Sequence, residues 1–219
     1  MPNNDRPSDS RQSGLVNPEL AGFEVNGMTR SSFILRGALA AGAFYGTSAV
    51  TPFVSQALAA GGGGDAEILN FALTLEYLES DFYNVKGTEV GLAGQAKAYA
   101  KLFGEEESQH VAALAAAVKQ LGGTPVKKPR FAFPATSETS FLMLASVLEN
   151  AGVGAYNGAA PSIKDKHVLA AAGSIVQIEA RHAAAIDLLI NKSPTPNHGF
   201  DVPLTKEQVL AKAGPLIKM

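Results

Sequence analysis

The chain has 219 residues, the length of one ordinary domain with something left over, and 18 Lys plus Arg against 20 Asp plus Glu leave a net charge of −2. That balance excludes nucleic acid and anionic membrane as default partners, and a composition 46% hydrophobic and only 17% charged excludes a wholly disordered chain. Cysteine is absent, so disulfides, thiolate metal sites and cysteine nucleophiles are all excluded; any metal falls to His, Asp or Glu, and there are only four His.

Residues 1–27 are polar, broken by Pro2, Pro7 and Pro18, and show no helical or strand period, which predicts a disordered extension. From Val25 to Gly64 there is no Asp or Glu; the stretch carries Arg30 and Arg36 and then turns mildly apolar from Gly37 to Ala60. This is the layout of an export signal over residues 28–60, with Ala57-Leu58-Ala59 as a small-x-small cleavage pattern before the Gly61–Gly64 run. A retained membrane anchor is the rival, but Gly42, Gly46, Ser48, Pro52 and Gln56 dilute the segment below a normal spanning helix, so no stable anchor is expected. Thr29-Arg30-Ser31-Ser32-Phe33-Ile34 resembles the twin-arginine export signal, with Ser31 where the second Arg would stand. Met28 just ahead of it is an alternative initiator to Met1. The protein is expected outside the cytoplasm, periplasmic or extracellular.

Residues 61–219 read as all-α. Ile68, Phe71, Ala72, Leu75, Leu78 and Phe82 follow a period near 3.6, which predicts a helix capped by Asp65, running to about Lys86 and stopped by Gly87. A second helix runs from about Leu92 to Leu121 and ends at Gly122-Gly123. Residues 122–137 hold Pro125, Pro129 and Pro134 and form a long crossover; Lys127, Lys128 and Arg130 on it read as solvated charge. A third helix begins near Ser137-Glu138 and ends before Pro161, a fourth runs from near Asp165 to about Ile190, and Thr205-x-x-Gln208 is a capping box for a short terminal helix. No strand pattern competes. Two helical hairpins joined by one long crossover predict a ferritin-like four-helix bundle, a plain up-down bundle being the alternative.

The inward polar residues decide between them. The second helix contains Glu107-x-x-His110 and the fourth contains Glu179-x-x-His182. At that spacing the two side chains lie about 60° apart and roughly 4.5 Å along the axis, so both reach one ion. Glu76 on the first helix and Glu149 on the third complete four carboxylates and two imidazoles. Hard oxygen donors with one imidazole per metal suit two Fe or Mn ions, with zinc less favoured.

The spacing repeats: Glu76 precedes Tyr83 by seven residues and Glu107 by 31, and Glu149 precedes Tyr156 by seven and Glu179 by 30. Asn84 and Asn157 follow the two tyrosines. The pattern is that of a duplicated hairpin with a pseudo-twofold axis through the site. A single Glu-x-x-His on a helix surface is common by chance; two copies in phase with two Glu-Tyr pairs are not. Glu149 is the only charged residue from Thr139 to Ile163, where a solvated face is hard to defend and an unpaired buried carboxylate costs several kcal/mol. Glu79, one turn from Glu76, is an alternative to it; Glu105 and Glu106 read as solvent-facing, Glu106 being a reserve ligand. Tyr83 and Tyr156 lie on the ligand stripe, placed to hydrogen-bond a ligand carboxylate, to donate an electron or simply to fill the core. His167 is about 22 Å along a helix from His182 and cannot join; His198 sits in a Pro-rich tail and reads as surface.

With Leu73-x-Leu75-Glu76-Tyr77-Leu78-Glu79, Glu107-x-x-His110, Glu149 with Tyr156, and Glu179-Ala180-Arg181-His182-Ala183-Ala184, residues 65–213 resemble the bacterial ferritin-like domain family related to plant desiccation-related proteins. The Phe200-Asp201-x-Pro203-Leu204-Thr205 tail shares in the resemblance. It implies a dinuclear centre with Glu107 and Glu179 bridging, Glu76 and Glu149 terminal, and His110 and His182 completing the set. The wider superfamily implies chemistry with O₂, H₂O₂ or Fe(II), either ferroxidase-like or peroxide-removing. A structural or stress-protective protein in which the bundle is non-catalytic is the alternative reading, and a homodimer is one option for its assembly.

Overall fold

A computed structural model describes residues 63–218 together with Glu24–Val25 and Met28–Thr29. Those two dipeptides, β1 (Glu24–Val25) and β2 (Met28–Thr29), pair antiparallel within a unit of residues 1–49, separate from the unit of residues 50–219. Apart from them, the expected disordered extension and export signal lie outside the described residues. None of the described helices is long and apolar enough to cross a membrane.

The second unit is an all-α bundle. Helix α1 (Gly63–Asp81) runs without a break through a π-helical turn, Phe82–Lys86, into the short α2 (Gly87–Val90); α3 spans Gly94–Gln120, α4 Glu138–Ala159, α5 Lys166–Leu189 and α6 Lys206–Ala213. α1 packs along α3 and α4 along α5, two hairpins joined by the crossover, and α6 lies against α4. The expected absence of strands holds for the bundle but not for its edge. There β3 (Arg130–Phe131) on the crossover pairs antiparallel with β4 (Ile217–Lys218), which ties the C-terminus down.

Local chemistry explains most of the boundaries. Ser137 and Ser140 form a capping box at the start of α4, Asp165 accepts from the His167 and Val168 amides at the start of α5, and Thr205 with Gln208 caps α6. The first helix departs from expectation twice. Gly87 does not stop it, because Gly87 keeps a helical φ of −58°; the stop comes at Gly91, whose φ of 74° is the left-handed conformation a helix terminus needs. Asp65 lies inside the first turn, and its carboxylate accepts from the Lys164 and Asp165 amides at 3.0 and 2.9 Å, holding the α4–α5 connection. On the crossover, Lys128 is paired with Asp81, while Asn70 bonds the Thr124 carbonyl and the Val126 amide.

Two apolar clusters fill the bundle, and α1, α3, α4 and α5 each contribute to both. Phe82, Phe103, Phe141 and Ile186 belong to one, Leu73, Leu114, Val118, Val168 and Ile175 to the other. Along α3 and α5 the sequence passes from one cluster to the other across 107–110 and 179–182, α1 changes cluster between Leu73 and Leu75 just ahead of Glu76, and α4 contributes Glu149 between Leu148 and Tyr156. A polar layer at mid-bundle lies between two hydrophobic ends, where burial of the apolar residues stabilises helices that must also carry buried charge.

Candidate metal centre

Glu76, Glu107, Glu149 and Glu179 are each fully buried, and His182 is 2% exposed. Nδ1 of His110 lies 3.1 Å from Glu76 Oε2, 3.2 Å from Glu107 Oε2 and 3.0 Å from Glu179 Oε1. Nδ1 of His182 lies 2.9 Å from Glu107 Oε1 and 3.5 Å from Glu149 Oε2. The four helices thus bring all six expected residues together. They form two groups able to hold a metal ion, Glu76–Glu107–His110–Glu179 and Glu107–Glu149–Glu179–His182, with the potential ligand atoms of each group within 4.8 Å of one another. Glu107 and Glu179 are common to both.

The tyrosines cross between the halves. Tyr83, on the first hairpin, donates to Glu149 Oε1 at 2.5 Å, and Tyr156, on the second, donates to Glu76 Oε1 at 2.5 Å. This reciprocity is what a duplicated hairpin with a pseudo-twofold axis requires. Both phenols are pushed well above their ordinary pKa, first by burial and then by the charge of the carboxylate each one bonds, so both stay donors.

Several polar atoms are left over. Glu107 Oε1, Glu149 Oε2, both oxygens of Glu179 and Nδ1 of His182 are buried without a hydrogen bond. Such orphaned groups are costly, and here they converge in one layer of matched donors. Carboxylate oxygens and imidazole nitrogens of this kind fit divalent Fe or Mn.

Electrostatics describe a crowded acidic pocket. Burial, then the neighbouring carboxylates, push Glu79 and Glu179 well above the usual range, and burial with the charge of Glu76 brings Glu107 up to about 7. Burial also works against ionised Glu76, but His110's charge and hydrogen bond hold its carboxyl below the ordinary value. Burial disfavours the charged form of both imidazoles. Even so, the charge of Glu76 drives His110 far upward, and the carboxylates of Glu106 and Glu107 beside its ring bring His182 up to about 12.

Two residues depart from expectation. Glu106 is not a solvent-facing reserve ligand: its Oε2 lies 2.7 Å from Nε2 of His182, the nitrogen turned away from the cluster, and so fixes the ring and its tautomer. Glu79 does not replace Glu76, since both are buried; Oε1 of Glu79 lies 3.3 Å from the position a Cβ on Gly152 would take. In the duplicated register Gly152 is the counterpart of Glu79, and Ile178 that of Glu106. A break in the repeat was the available signal for both. Glu105, His167 and His198 are exposed, as expected.

The chain matches the family model of the ferritin-like domain over residues 64–192, and it belongs to that family. The match runs from α1 to just past α5, the stretch that carries every residue of the cluster. No curated protein matches the chain.

Proposed function

We propose that the bundle holds a dinuclear Fe or Mn centre and works in Fe(II) oxidation or in removal of peroxide or oxygen. Glu107 and Glu179 would be shared by the two ions, Glu76 and His110 would complete one coordination set, and Glu149 and His182 the other. The observation that carries this reading is the pair of Glu₃His groups sharing Glu107 and Glu179, with orphaned oxygens of both shared residues turned into the layer. When bound, such a metal pair supplies two-electron redox chemistry and positions for a small oxygen species. The chain's own residues do the rest. Tyr83 and Tyr156 hold Glu149 and Glu76 in place as hydrogen-bond donors, Glu106 fixes the His182 ring, and the two apolar clusters exclude water from both ends.

The acid-free, Arg-led segment ahead of the bundle supports export as part of the same proposal, with twin-arginine export suiting a protein that folds around its metals first. Every cluster residue lies beyond residue 65, so a chain cut after Ala59 keeps the whole site. The test is anaerobic addition of Fe(II) or Mn(II), then of O₂ or H₂O₂, with consumption of oxidant followed directly. Metal-dependent consumption is expected. A protein that binds metal yet consumes neither oxidant, and melts at the same temperature with the metal removed, is the non-catalytic bundle instead.

A further inference from the structure

The two hairpins differ in the space beside their cluster tyrosines. A cavity of about 330 Å³ lies where the π-helical turn and α2 face the start of α3, with Tyr83, Asn84, Thr88, Lys97 and Lys101 in its lining. Tyr83 belongs both to this wall and to the cluster. The residue is 3% exposed and its hydroxyl bonds Glu149, so one phenol stands between the cavity and a candidate ligand. On the pseudo-twofold counterpart side, the chain is plain α-helix, and the space beside Tyr156 is only about 20 Å³, lined mainly by aliphatic side chains; the cavity of about 300 Å³ next to it, between α1, α4 and the tail, has neither Tyr156 nor any cluster residue in its lining. The tail closes that side further: the Leu204 amide donates to the Gly154 carbonyl, and Leu204 lies so close over Gly158 that a Cβ there would sit 1.9 Å from its carbonyl oxygen.

The open side is basic. Lys97 and Lys101 are exposed at its rim, and no carboxylate lines it. Of the acids around it, Glu89 on α2 is paired with Lys86 at 3.1 Å, Glu138 accepts from the Ala93 amide, and Glu105 lies one helical turn beyond Lys101, outside the lining. Two ammonium groups on a lining that holds no carboxylate give a positive mouth, which concentrates small anions, admits neutral molecules and repels a divalent cation.

We propose that this cavity is the substrate passage to the centre, and that Lys97 and Lys101 make it a passage for small anionic or neutral oxygen species rather than for Fe(II). The inference rests on the dinuclear reading above and narrows it, placing peroxide-type substrates ahead of Fe(II) on this route. Tyr83, within the π-helical turn, is the last residue on the path, and its hydroxyl reaches across to Glu149 of the second hairpin.

Azide is the probe, since it is a small anion, and two measurements keep the two readings apart. In the metal-free ¹⁵N-labelled protein, azide should shift the Thr88, Lys97 and Lys101 amides and leave the region of Tyr156 and Leu204 unmoved; equal or absent shifts at the first three overturn the passage whatever the metal does. In the metal-loaded, oxidised protein, the azide on-rate read from its charge-transfer band should fall by about tenfold in K97E/K101E at low salt and recover toward the parent at high salt. The remote surface change Lys212→Glu should leave it unchanged, and T88W, which fills the mouth from an exposed position, should slow azide and H₂O₂ alike. An unchanged on-rate in K97E/K101E and T88W contradicts the proposal, as does Fe(II) uptake slowed as much as azide. A protein that takes up no metal at all defeats the dinuclear reading and leaves the amide shifts to decide the passage.

Discussion

The two hairpins carry the same ligand pattern and differ in what surrounds it. Each supplies a Glu, a Glu-x-x-His pair and a Tyr that reaches across to the other half. Around this shared set the first hairpin has a π-helical turn, a fifth buried carboxylate in Glu79, Glu106 behind the opposite imidazole and an open basic cavity. The second has Gly152 and Ile178 at the matching positions, unbroken α-helix, and a tail pressed into Gly154 and Gly158. Symmetry thus stops at the ligands. The set that would hold two ions is kept equal, while the basic cavity and the Glu106 bond to an imidazole belong to the first hairpin alone.

Breaking the closed side has the largest structural effect. Gly158→Ala forces the tail off α4, because the new Cβ meets backbone rather than a flexible side chain. The expected cost is about 2–3 kcal/mol, or roughly 4–12 °C in Tm by thermal unfolding. Gly104→Ala on the first hairpin meets the Asn84 side chain, which can move, so it should cost less even though Asn84 loses its bond to the Gly104 carbonyl.

Next in size is the response of the metal-free protein to pH. In the unfolded chain Glu79, Glu107 and Glu179 ionise near 4.5, while the fold keeps them protonated to higher pH, Glu107 to about 7. Above 4.5 the unfolded state therefore sheds protons that the fold retains, and stability falls as pH rises. The imidazoles act in the same direction: their contribution is complete below 6.5 and is lost as pH climbs toward about 12 for His182. Glu76, held low, opposes this only as pH falls below 4.5. Metal-free protein should lose about 5 °C or more in Tm between pH 5 and 8, while bound metal, which takes the place of those protons, should widen its stabilisation over the same range. A metal-free Tm that rises between pH 5 and 8 would contradict the buried charge assignment.

The smallest effect sharpens the asymmetry of the supporting shell. Glu106→Gln should weaken metal binding by about 10- to 100-fold through the His182 ring, and Glu105→Gln, on the exposed face one residue away, should be nearly silent in the same titration.

What was legible in the sequence follows from what repeats. Four long helices, the caps at Ser137, Asp165 and Thr205, and the six cluster residues all come from periodicity or duplicated spacing, and the structure brings them together as read. What was not legible depends on tertiary neighbours. Gly87 looks like a stop, yet nothing local forces it left-handed. Asp65 looks like a cap until the α4–α5 connection offers it two amides. Glu106 differs from Glu105 only by the 100° of one helical residue, which turns it onto α5, and no pattern within α3 separates them. Glu79 was read as a choice against Glu76; the missing Cβ of Gly152, 73 positions on, is what gives both of them room.

The central claim is two ions sharing two carboxylates, and metal stoichiometry tests it most directly. Anaerobic titration with Fe(II) or Mn(II), followed by elemental analysis of the washed protein, should give two ions per chain. It should give one for Glu149→Ala, which removes a residue of a single set, and none retained for Glu107→Ala, which removes a shared one. Two ions retained in Glu149→Ala, or a single ion in the parent, would contradict the account.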